Sequence, residues 1–168
     1  FKNKSKSKLI TSGNDLDKVV NIGRKIENAV SAFFRSKNES DPTKNFDWEY
    51  ILVNDKKIKN AWCMPGGKIA VFSGILDVAK NNDGLATIMG HEIAHAVAKH
   101  SVERMSQAMA VNVGTQVADI FLGGQISRTR NTVGRATGMD IFQLGIMNPF
   151  GRKQETEADY LGLIFSSL

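Results

Sequence analysis

The chain has 168 residues, enough for one domain with a core of its own. Its 42% apolar and 23% charged residues are an ordinary globular composition. Of the net charge of +5, four units come from Lys2, Lys4, Lys6 and Lys8, which leaves about +1 and excludes an electrostatic footprint for nucleic acid.

Residues 1–13 read as a disordered, Lys/Ser-rich tail, a solvated linker with some capacity to touch an anionic membrane surface. Residues 14–168 read as a single domain that stops inside an apolar helix, as if truncated at its C-terminus. From Asp15 to Arg35, Leu16, Val19, Ile22, Ile26, Ala29, Val30 and Phe33 recur at helical spacing and predict a core-packing helix. Ser36 to Asn45 is a polar loop with Asp41-Pro42. Three strands follow at Trp48–Val53, Ile58–Met64 and Lys68–Ser73, split by turns at Asn54–Lys57 and Pro65–Gly67. Such short connections predict an antiparallel meander. Cys63, the single cysteine, sits among apolar neighbours and reads as a buried thiol.

Gly74–Lys80 is a short helix, and a longer one runs from Leu85 to about Met109, continuing after a break to Leu122. Asn82-Asp83-Gly84 supplies the turn and capping chemistry before it. The apolar run Ala108–Leu122 is interrupted by Asn112, Gln116 and Asp119 and is too short to span a bilayer. Gly123–Gly138, rich in glycine and arginine, reads as a lid or a nicking site, or as a surface loop without a role. A last helix opens after Asn148-Pro149-Phe150-Gly151.

The long helix carries His91-Glu92-Ile93-Ala94-His95. Four residues apart, His91 and His95 project from one face and can grip one Zn²⁺. Glu92 beside them can act as base toward a zinc-activated water. A catalytic zinc needs a third protein ligand. His100, five residues after His95, points away from that face and is a poor choice. That leaves a downstream carboxylate, and Glu155 and Asp159 share one face of the last helix. Taken by themselves, these acids serve equally as a ligand pair or as an acidic first turn facing the helix dipole.

His91–His95 followed by Glu155-Thr156-Glu157-Ala158-Asp159 resembles the H-E-x-x-H plus E-x-x-A-D pair of the HtpX-like and Oma-type zinc metallopeptidases. That family also includes the CAAX prenyl proteases and the periplasmic proteins BepA and LoiP. The segment Asn60–Leu76, with Pro65-Gly66-Gly67-Lys68, is similar to the stretch before the zinc helix, and favours the Oma-type branch. The resemblance covers roughly residues 46 to 165. It implies an α+β, mainly helical, zincin-like domain with a small three-stranded sheet beside the zinc helix. It implies one Zn²⁺ per chain held by His91, His95 and Glu155, with Asp159 orienting a ligand and Glu92 as general base.

The implied activity is hydrolysis of peptide bonds in unfolded or membrane-associated proteins, as in protein quality control. A rival reading is a latent or non-catalytic zinc protein acting as a chaperone or binding module. Extended substrate would bind by strand addition along Lys68, Ile69, Ala70, Val71 and Phe72. The resemblance and the Lys/Ser tail imply a bacterial periplasmic lipoprotein held at the membrane by an upstream anchor, with the mitochondrial inner membrane as the alternative.

Overall fold

The computed structural model describes residues 9–103, 106 and 150–167. Residues 1–8 of the tail expected at 1–13, the helical stretch 109–122 and the loop Gly123–Gly138 lie outside the described residues. The chain divides into two compact units, residues 1–99 with 151–168, and residues 100–150. In the second, His100 is buried and its ring centroid lies 6.0 Å from that of Phe150.

In the first unit, β1 (Leu9–Ile10) leads into α1 (Asn14–Ser36). The predicted apolar stripe of α1 is the face it buries, through Val19, Ile22, Ile26, Ala29 and Val30. Asp15 and Asp17 in the first turn and Arg35 in the last complement the helix dipole. Gly23 lets α1 lie against the Tyr50 ring, where a Cβ would fall 2.0 Å from a ring carbon. The Tyr50 hydroxyl donates to Glu27 at the same contact.

Strands β2 (Glu49–Val53), β3 (Ala61–Met64) and β4 (Lys68–Phe72) follow. The expected three-stranded antiparallel meander is corrected to a four-stranded mixed sheet of order β1-β2-β4-β3. β2 and β4 are parallel, and β1–β2 and β3–β4 are antiparallel. The reason is burial. Ile69, Ala70 and Val71 are consecutive and all buried, so β4 needs cover on both faces and takes an interior place. The tight Pro65–Gly67 turn, with Gly66 and Gly67 at φ 92° and 91°, keeps β3 beside β4 and sends β3 to the edge. Leu9 and Ile10, expected in the tail, instead pair with Val53 and Leu52 and cover the other side of β2.

Helices α2 (Ser73–Ala79) and α3 (Asn82–Val97) join at a sharp elbow. Lys80 adopts φ 64°, and the Asn81 side chain accepts the Gly84 N–H at 2.8 Å. α3 thus starts before the predicted Leu85, and it stops well before Met109. Ala98 caps it and Lys99 turns left-handed at φ 59°, which an α-helix does not sustain. α3 packs on α1, α2, β3 and the last helix, α4 (Arg152–Ser167). Leu85, Met89, Ile93, Ala94 and Val97 are among its buried residues. The large ones contribute about 1.5–3 kcal/mol each. Among the described residues no helix is long and apolar enough to cross a membrane.

Asn81→Ala is expected to lower stability by about 1 kcal/mol in urea unfolding, and Asn81→Ser to stay close to the parent. Equal stability of Asn81→Ala and the parent would mean that the elbow holds without its cap.

Candidate active site

Helical spacing places the His91 and His95 rings on one face of α3, with centroids 4.7 Å apart and planes at 78°. Their Nε2 atoms approach to 3.1 Å. The His95 side chain is buried and His91 is partly open. α4 runs across this face. Its first turn is fixed by the Glu155 N–H donating to the Gly151 carbonyl at 2.9 Å. That turn delivers Glu155 Oε2 to 3.4 Å from His91 Nε2 and 3.9 Å from His95 Nε2. One turn later, Asp159 Oδ1 lies 2.9 Å from His91 Nδ1.

A carboxylate accepts and does not donate, so Asp159 fixes the Nδ1–H tautomer of His91 and leaves Nε2 bare. Two imidazole nitrogens and a carboxylate oxygen then converge within 4.8 Å of one another. Such a set of lone pairs calls for a proton or a cation between them. Tetrahedral zinc, with bonds of about 2.0–2.1 Å, sets its ligand atoms roughly 3.3 Å apart, so the donor set and its spacing fit zinc. Three protein ligands also leave one position open, the pattern of a catalytic site. Glu155 also stands in the first turn of α4, where a carboxylate complements the helix dipole, so the two readings of this residue are compatible.

His91, His95, Glu155 and Asp159 are therefore brought together as the sequence motifs implied. Glu92 stands partly buried beside them, and burial followed by the charge of Glu155 raises its pKa to about 8. His100, set aside from the sequence, belongs to the other compact unit.

Lys68–Phe72 is not brought to the site as a docking edge, and this expectation is corrected. β4 pairs with β2 on one side and β3 on the other, so its main-chain groups are already used. Lys68 itself points to Asp47 and Glu49, at 2.7 and 3.0 Å. The strand that packs on α3 is β3. Its Cys63 is buried, and burial, followed by the nearby Glu92 charge, pushes its thiol well above the usual range. Reading strand order from connection length alone missed this neighbour. The run of three buried residues in β4 was the available signal.

Residues 21–167 match peptidase family M48. The chain is 41% identical over 122 residues to mitochondrial metalloendopeptidase OMA1 of Schizosaccharomyces pombe, covering 71% of this chain and 33% of that protein. It is 37% identical over 117 residues to the protein of the same name from Arabidopsis thaliana, covering 70% and 22%. It is 31% identical over 103 residues to metalloprotease LoiP of Escherichia coli, covering 60% and 37%. The chain thus spans well under half the length of these relatives. The expected placement as a bacterial periplasmic lipoprotein is corrected by these matches, since the more similar relatives are named as mitochondrial, which agrees better with the alternative setting. By its two motifs, their convergence in the fold and this match along most of its length, the chain belongs to peptidase family M48, on the Oma-type side.

Proposed function

We propose that this chain carries the catalytic centre of a zinc-dependent endopeptidase acting on unfolded or membrane-associated proteins in quality control, in a mitochondrial setting. The observation that carries the reading is the convergence of His91, His95 and Glu155, with Asp159 behind His91 and Glu92 alongside. His91, His95 and Glu155 would hold one Zn²⁺, which would supply Lewis-acid chemistry toward water and the scissile carbonyl. Asp159 keeps His91 in the binding tautomer. Glu92 takes the proton of the attacking water and hands it to the leaving amine. A carboxylate already strained toward protonation by its surroundings is suited to that exchange.

Substrate binding is assigned to the outer edge of β3, which has no partner strand among the described residues. The Phe72 N–H donates to the Asn60 carbonyl, so by antiparallel alternation the Cys63 N–H and C=O point away from β4. An extended peptide added there makes main-chain hydrogen bonds beside Glu92, which favours unfolded segments over one particular sequence.

Zinc-loaded protein is expected to cleave unfolded casein, with Glu92→Gln lowering the rate by about 10²–10⁴-fold at unchanged zinc content. Equal cleavage by both would remove Glu92 from the mechanism. Zinc binding with no cleavage by either would favour a latent or chaperone-like protein.

The raised pKa of Glu92 also sets a pH dependence in the metal-free protein. The ordinary value of 4.5 applies to the unfolded chain and about 8 to the folded one, so between them the folded state binds more protons. Stability should therefore fall as pH rises through that window and level off above it. Urea unfolding across pH 5–9 measures the slope, and Glu92→Gln should flatten it. A slope unchanged in Glu92→Gln would place its origin elsewhere.

A further inference from the structure

α3 and α4 cross at a pair of glycines. A Cβ on Gly162 would lie 2.7 Å from the His91 nitrogen, 2.8 Å from its Cα and 3.0 Å from the Gly90 carbonyl carbon. A Cβ on Gly90 would lie 2.7 Å from the Gly162 carbonyl oxygen. These are backbone atoms on both sides, and no rotamer change relieves them. Neither glycine has a positive φ, so backbone conformation does not demand glycine here. Close approach does. The contact is also on His91 itself, and along α4 Glu155, Asp159 and Gly162 fall at i, i+4 and i+7 on one stripe.

We propose that Gly90 and Gly162 are positioning residues whose contact sets how far Glu155 and Asp159 reach toward His91 and the bound metal. The inference rests on the zinc-site reading above. An added methyl must move α4 outward by on the order of 1 Å to restore ordinary contact near 3.5–4.0 Å. Metal–ligand distances tolerate only about ±0.2 Å. Asp159 has a single methylene with which to follow, and its 2.9 Å hydrogen bond to His91 Nδ1 would open.

The test compares Gly162→Ala and Gly90→Ala with Phe33→Leu, which thins packing at the C-terminal end of α4, where Phe33 meets Phe165 at 5.7 Å. Zn²⁺ affinity is measured by competition with a chromophoric chelator, and the metal-free thermal midpoint by circular dichroism. Both glycine variants are expected to weaken Zn²⁺ binding about 10–100-fold, the range for losing a partner that orients a ligand. Phe33→Leu is expected to lower the midpoint and leave the affinity unchanged. Parental affinity in Gly162→Ala overturns the proposal, as does an affinity that follows the midpoint across all three variants. A Gly162→Ala chain that fails to fold with and without Zn²⁺ also overturns it, because the glycine would then serve the fold alone. If the parent binds no Zn²⁺, the zinc-site reading itself fails, a separate outcome.

Discussion

The hydrogen bond from His91 Nδ1 to Asp159, at 2.9 Å, ties the two halves of the site together. Its chemistry is simple. A carboxylate fixes one imidazole tautomer, and the opposite nitrogen is left with a bare lone pair aimed where a metal would sit. For that bond to form, residues 68 positions apart in the chain must meet within one hydrogen-bond length. The crossing of α3 and α4 makes this possible, and glycine on both helices keeps the crossing close. Glu155, one turn before Asp159, is carried to the histidines by the same crossing.

The sheet has a second task. β4 is buried on both faces and paired on both edges, so it acts as a floor and not as a docking surface. It pins β3 at the rim, and β3 packs on the zinc-type helix. A strand edge and a metal-type cluster thus lie side by side because burial drove the more apolar strand inward. The Asn81 cap and the left-handed Lys80 then set where α3 begins and how it leaves α2.

Electrostatics follow from this packing. Glu92 is placed where it loses water on one side and meets Glu155 on the other, and both effects favour its protonated form. Burial of Cys63 acts in the same direction on its thiol, which makes it an inert part of the wall. In the absence of metal the site is therefore a cost to the fold. A cation among these groups would relieve it, and this couples binding to stability.

Local patterns were enough to determine several features. The i, i+4 histidines, the adjacent glutamate and the apolar stripe of α1 are periodicities within single helices, so they appear in the order of residues. The Pro65–Gly67 turn is read in the same way. Between ligand and dipole roles for Glu155, the residues themselves left the choice open, and the family resemblance made it before any geometry was available. Strand order, the pairing of Leu9 and Ile10 with β2, and the end of α3 at Val97 were decided by tertiary structure. Each depends on which surfaces compete for burial across long stretches of chain, and no local spacing records that. The glycine contact at His91 is of the same kind. Gly162 is an ordinary helix residue until the fold places it against another backbone.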